Sequence, residues 1–101
     1  MVQIIFRSRL RPEFSDEYQE LAPKILELAR GMPGFVSHKS FVADDGERVS
    51  LIEFELLEHV DAWREQPDHL RAQALGRERY YAEYSLQVGE LERVRRFDHE
   101  E

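Results

Sequence analysis

The residues of this chain best suited to chemistry are two of its four histidines and its single tryptophan. His38 lies in the middle of a segment that alternates apolar and polar residues. A neutral imidazole there can accept a proton from a ligand hydroxyl. Ser40, two residues later on the same face, is placed to orient that ring. A hydrogen-bonded structural histidine fits the position as well. His69 follows Pro67-Asp68 at a break in a helical pattern, where pocket mouths form. There it can act as proton acceptor or as donor to a substrate; the plainer reading is a surface histidine opening a helix. The Trp63 indole can stack on a flat aromatic molecule while its N–H holds a ligand oxygen, or it can simply fill core volume.

His38, His69 and Trp63 are therefore the candidate catalytic residues, and Ser40, Tyr80 and Arg7 the candidate substrate contacts. Tyr80 stands with Tyr81 and Tyr84 in an aromatic cluster that serves either as core and interface or as a binding box. Arg7 and Arg9 interrupt an apolar strand face. A guanidinium there clamps a ligand carboxylate or steadies an oxyanion, or else pairs with Glu53 or Glu55 across a dimer.

Other chemistries lack their residues. Without cysteine there is no disulfide, thiolate metal site or thiol nucleophile. The histidines are isolated from one another, with no metal-ligand spacing, and His59 and His99 read as solvated. No glycine-rich phosphate loop, serine elbow or dinucleotide fingerprint occurs. The chain is thus expected to hold no metal and no cofactor.

A formal charge of −7 with 35% charged residues argues against a phosphate-backbone partner, because nucleic-acid binders concentrate Lys and Arg on one surface. The densest basic run, Arg93, Arg95 and Arg96, lies among Glu90, Glu92, Asp98, Glu100 and Glu101 and reads as a solvated tail. No segment approaches the roughly 20 apolar residues of a membrane span, and the N-terminus has no leader pattern. No nucleic acid and no membrane are expected as partners, and the cytoplasm is the default location.

The elements that must position these side chains follow from periodicity. Residues 2–10 alternate, with Val2, Ile4, Phe6 and Leu10 on one face and Ile5, Arg7 and Arg9 on the other, and Pro12 closes this strand. Ser15 is expected to cap a helix whose apolar stripe is Tyr18, Leu21, Ala22, Ile25, Leu28, Ala29 and Met32. Pro23 predicts a kink or restart within it. Phe35 to Ala43 and Arg48 to Leu56 form a hairpin about Asp44-Asp45-Gly46. A helical pattern from Glu58 to Tyr81 breaks at Gln66-Pro67-Asp68, and Gly76 permits close packing on the sheet. Tyr84, Leu86 and Val88 alternate as a fourth strand, with a bulge expected at Gly89.

The order β-α-β-β-α-β predicts an α+β fold of the ferredoxin-like kind: a four-stranded antiparallel sheet with both helices on one face. In strand two Phe35 and Phe41 are set against Val36 and Val42, and in strand three Val49 and Leu51 against Ile52, Phe54 and Leu56. Apolar residues thus fall on both faces, whereas a sheet with one wet face alternates cleanly. Each such side chain left exposed forgoes about 1.5 to 3 kcal/mol relative to burial, so a homodimer packed sheet to sheet is expected.

The run Met32-Pro33-Gly34-Phe35, the strands His38-Lys39-Ser40-Phe41 and Ile52-Glu53-Phe54-Glu55, and the helix Ala62-Trp63-Arg64 resemble the antibiotic biosynthesis monooxygenase (ABM) family. The resemblance spans about residues 2–93 and makes residues 1–93 one ABM-like domain, with 94–101 a charged C-terminal tail. It implies the dimeric α+β barrel, two ferredoxin-like subunits joined sheet to sheet, with a pocket between sheet and helices in each. Family members include cofactor-independent oxygenases of phenolic or quinol-type aromatics, haem degraders, signal-molecule isomerases and proteins with no assigned activity. A Trp on the second helix and an Asn are commonly functional in the oxygenases; Trp63 matches the first, and this chain contains no Asn. Haem degraders carry a ligating His about three turns beyond that Trp, where this chain has Gln73, so haem is not expected. The implied function is a cofactor-independent monooxygenase of a small aromatic or quinol-like molecule. The alternatives are a non-catalytic dimeric small-molecule-binding protein and a signal-molecule isomerase with histidine as proton shuttle.

Overall fold

The computed structural model describes residues 1–99. Four strands, β1 (Val2–Leu10), β2 (Phe35–Val42), β3 (Arg48–Phe54) and β4 (Tyr81–Glu90), form one antiparallel sheet in the order β2-β3-β1-β4. Helix α1 (Ser15–Arg30) links β1 to β2, while α2 (Leu57–Arg64) and α3 (Pro67–Leu75) link β3 to β4. This is the α+β, ferredoxin-like arrangement that the element order predicts. Residues 91–99 carry no regular secondary structure, and the expected tail residues Glu100 and Glu101 lie outside the described region.

Local chemistry explains most boundaries. The chain enters α1 through a short 3-10 turn at Pro12–Phe14, so Ser15 is the first helical residue and makes no side-chain cap, contrary to expectation. Of the kink or restart expected at Pro23, the restart does not occur: α1 runs as one element through it. The hairpin turn closes with Gly46 N–H donating to the Ala43 carbonyl and Ala43 N–H to that of Glu47, at 2.9 and 2.8 Å. Gly46 takes φ +89°, which a residue with a Cβ resists. The second helical pattern does divide at the proline. Gln66 caps α3, its side-chain oxygen accepting from His69 N–H at 2.8 Å, and Pro67 fills the first turn, where its missing N–H costs nothing.

Two irregularities decide which side chains face the helices. A bulge at Val36 lets Phe35 pair with Phe54 and His38 with Ile52, so Phe35, His38, Ser40 and Val42 share the inner face. Phe35 and Phe41, expected together, are thereby on opposite faces. On β4 the pairing is regular through Gly89, opposite Gln3, and the expected bulge is found instead at the other end, at Ala82 between Tyr81 and Glu83.

With the register fixed, the inner face reads as rows across the sheet: Phe35-Phe54-Val2, then His38-Ile52-Ile4-Val88, Ser40-Ser50-Phe6-Leu86 and Val42-Arg48-Ser8-Tyr84. The first two rows carry the core, in which Val2, Ile4 and Phe54 are buried against Ala29, Val60 and Trp63. The outer face is mixed rather than apolar throughout. Ile5 and Leu51 pair beside Val49 and Phe41, and ion pairs of Arg7 with Glu47 and Arg9 with Asp45 lie around them.

Candidate functional site

Along the sheet the inner face changes from Val, Ile and Phe to His, Ser and Arg, and there the helices stand off from it. The space between is a cavity of about 770 Å³. One wall is the α1 stripe Tyr18, Leu21, Ala22, Ile25 and Ala29, repeating every three or four residues as one helix face must. Leu21 and Ala22 are only half-buried because they face the cavity, and Ile25, also half-buried, both borders it and packs against the core. Tyr84, Leu86 and Val88 on edge strand β4 line it while remaining exposed, so it opens along that strand.

Five of the six residues singled out in the sequence, His38, Ser40, Trp63, His69 and Tyr80, line this cavity. Arg7 does not. It is on the outer face, where its guanidinium makes a fork of hydrogen bonds to Glu47 at 2.8 and 3.0 Å within the same chain. Its odd-numbered position on β1 decides this, and its charge is satisfied without Glu53 or Glu55. The Glu53 carboxylate accepts instead from the Ser37 hydroxyl at 2.8 Å.

Trp63 proves to be both core and wall. It is 4% exposed, packs with Phe54 and Val60, and also borders the cavity. Its indole stacks on the His69 ring, centroids 3.8 Å apart and planes 11° from parallel. That contact depends on the break before Pro67, which turns the chain so that a residue of α3 lies against one of α2.

His69 is held in one tautomer. Its Nδ1 is 2.9 Å from the Trp63 carbonyl, which can only accept, so Nδ1 carries the proton and Nε2 the lone pair. Gln73 donates its amide to the Arg64 carbonyl at 3.0 Å; its 3.3 Å approach to His69 Nδ1 is packing, since that nitrogen's one position is already taken. Nε2 has no partner among the described residues. Burial lowers the pKa of His69, an effect that the bond to the Trp63 carbonyl only partly opposes. The ring is thus a neutral acceptor at neutral pH.

His38 is on the opposite wall. Its Nε2 is 3.3 Å from the Ser40 hydroxyl, which in turn is 2.8 Å from that of Ser50. Burial first, and the charge of Arg30 second, lower its pKa. Behind these, Phe6 lies 5.3 Å from the rings of both Tyr81 and Tyr84, and Tyr18 meets Tyr80 and Tyr81 edge to face. Burial, followed by the neighbouring Tyr18, raises the Tyr81 phenol far above its ordinary value, so it stays protonated. Ser8, Arg48 and Ser50, which the sequence reading passed over, belong to the same walls. Their signal was available: each is a polar residue at an inward-facing strand position. His59, read as solvated, instead accepts from Leu56 N–H at 3.2 Å and fixes the start of α2.

The family model for antibiotic biosynthesis monooxygenases matches residues 1–75. The chain belongs to that family. It is 29% identical over 94 residues to the uncharacterized Bacillus subtilis protein YqjZ, covering 93% of this chain and 82% of the relative. Rv0793 from Mycobacterium tuberculosis is 21% identical with a TM-score of 0.76, covering 97% of this chain and 96% of that one. SnoaB, a cofactor-independent oxygenase from Streptomyces nogalater, has a TM-score of 0.77 at 15% identity, over 92% of this chain and 94% of its own. At such identities the two solved structures show a shared ABM fold.

No helix among the described residues is long and apolar enough to cross a membrane.

Proposed function

We propose that this ABM protein is a monooxygenase of a small, electron-rich aromatic or quinol-like molecule, which binds in the cavity beside Trp63 and supplies its own reducing equivalents. The observation that carries this reading is the His69 ring, which lines an aromatic-walled cavity: it is stacked on Trp63, locked with Nδ1 protonated, and its Nε2 has no partner among the described residues. Family membership and the likeness to SnoaB support it. About 770 Å³ is within the range of pockets that enclose multi-ring ligands.

The chemistry follows from placing a flat substrate there. His69 Nε2 takes a proton from a phenol or an acidic C–H, leaving an electron-rich anion that reduces oxygen. One oxygen atom enters the ring carbon as a carbonyl and the other leaves as water, whose two hydrogens come from the CH2 carbon of an anthrone or from the ring C–H and the hydroxyl of a phenol. Two substrate electrons and two in the new C–O bond balance the oxygen molecule, so the ring itself is the reductant. Trp63 holds the ring plane, and His38 with Ser40 offers a second polar contact from the sheet.

Within this reading the working unit is a homodimer, supported by the outward-facing cluster Ile5, Leu51, Val49 and Phe41, of which Phe41 is 47% exposed. Light scattering tests it: a dimer mass at micromolar concentration is expected, and a monomer overturns it.

For the activity, the protein is mixed with anthrone under air while oxygen uptake is followed and anthraquinone measured. Enzyme-dependent conversion that His69→Gln and Trp63→Phe each suppress is the expected result. Uptake untouched by both changes overturns the site, and the absence of turnover on anthrones and dihydroquinones alike favours a binding protein.

A further inference from the structure

Five of the chain's twelve arginines hold carboxylates and none of the five lines the cavity, while Arg30, Arg93, Arg95 and Arg96, also outside it, are exposed and make no ion pair among the described residues. On the outer face of the sheet Arg7 and Arg9 hold Glu47, Asp45 and Glu83, and elsewhere Arg11, Arg71 and Arg79 each hold a carboxylate. The three arginines that line the cavity, Arg48, Arg64 and Arg77, make no ion pair among the described residues. The cavity's lining includes one carboxylate, Asp61. A chain with 21 acidic residues has ample counter-charge, yet it places almost none of it here.

Arg48 is the most constrained of the three. Unlike Arg64 and Arg77 it is half-buried, at an inward-facing position of β3 between Ser8 and Val42, and Ser50 is the next inward residue. Its guanidinium lies 5.8 Å from the centre of the Tyr18 ring, which holds it against the aromatic end of the cavity, and its charge is felt at the Tyr81 phenol. A guanidinium partly withdrawn from water without a carboxylate carries an uncompensated desolvation cost. A fork of donors aimed into a cavity is the geometry that recognises a carboxylate through two parallel hydrogen bonds.

We propose that the ligand of this cavity is an anionic aromatic, a fused-ring or phenolic carboxylate, whose carboxylate binds Arg48 beside the Ser40–Ser50 hydroxyl pair. The proposal rests on the reading above that the cavity is the ligand site, and it names the class of molecule. The net charge of −7 repels anions at long range, so selection is local and shows in affinity rather than in steering. Arg64 and Arg77, exposed in the cavity lining, offset part of that repulsion.

The probe pair is 1-hydroxy-2-naphthoate and the amide of the same acid, alike in shape and different in charge, measured by calorimetry on the whole protein. The acid is expected to bind about tenfold or more tighter than the amide, a difference of about 1.4 kcal/mol. Arg48→Met brings the two together, Arg48→Lys retains part of the preference, and Arg7→Met on the outer face leaves it intact. Thermal melts of the variants confirm folding, and the lysine variant keeps the test open if methionine is not tolerated. Equal binding of acid and amide, binding of neither, or an Arg48→Met change that weakens both alike overturns the proposal. Oxygen uptake separates this from the activity. If the acid binds through Arg48 but no aromatic is oxidised, only the monooxygenase reading falls. If neutral anthrone turns over while the acid does not bind, only the anionic class falls.

Discussion

The two ends of one sheet face are built to different ends. Where Val2, Ile4 and Phe54 face inward, Ala29, Val60 and Trp63 close over them, and Phe54 is 0% exposed. A few residues along the same strands the inward positions are Phe6, Ser8, Ser40, Arg48 and Ser50, and the facing α1 stripe borders open space. One antiparallel sheet joins both ends, and the contrast lies in the inward side chains and in how closely the helices approach them. Close packing stabilises the first end; polar and half-buried groups keep the second available to a ligand. Trp63 belongs to both.

Truncation at the two ends breaks or sharpens this contrast most strongly. Phe54→Ala is expected to cost about 3 to 5 kcal/mol in chemical denaturation, since it empties a closed site. Phe6→Ala, which enlarges a space already present, is expected to cost less than half of that. Equal losses would mean that the cavity end contributes to stability as a core does.

Next in size is the loss of the proposed base. His69→Gln is expected to lower kcat on an anthrone by about a hundredfold or more while leaving the unfolding midpoint near that of the parent. A large fall in stability with little change in kcat would place His69 in the core end instead. Gly76→Ala follows. The Cβ it adds would stand 2.6 Å from the Tyr81 ring, so an overpacking cost of about 1 to 3 kcal/mol is expected, together with weaker aromatic binding as that wall of the cavity shifts.

The acid response is smaller and has a definite sign. His69 and His38 are both lowered from 6.5 by burial, so below that pH the unfolded chain takes up protons first. Their contribution is full above about pH 6.5 and is lost as the pH falls toward their folded-state values. Unfolding midpoints measured from pH 8 to pH 5 should decline on the acid side, and less steeply in His69→Gln. Smallest of all, Arg7→Ala on the outer face removes an exposed ion pair and is expected to leave the unfolding midpoint near that of the parent, with no effect on anthrone turnover.

The sequence made the elements and the sheet legible because alternation and helical spacing are strong signals, and it placed His38, Ser40, Trp63, His69 and Tyr80 on what is one cavity. It missed where it had to count across an irregularity. The Val36 bulge reverses the phase of β2, so Phe35 turns inward with His38, and alternation alone cannot report an inserted residue. Arg7 was misplaced for a related reason. Its inward or outward direction was readable, but which face the helices cover follows from how the chain packs. The stack of His69 on Trp63 was beyond reach, because it depends on the angle between α2 and α3 set at Gln66-Pro67.

Fluorescence of Trp63 tests the central claim most directly, since the chain's single tryptophan stands where the closed end meets the open one. Titration with 1-hydroxy-2-naphthoate should quench that emission saturably, one molecule per chain, and His69→Ala should change the quenching without unfolding the protein. Emission unchanged at saturating ligand, in a protein that calorimetry shows to bind it, would place the ligand elsewhere and contradict a site built on Trp63 and His69.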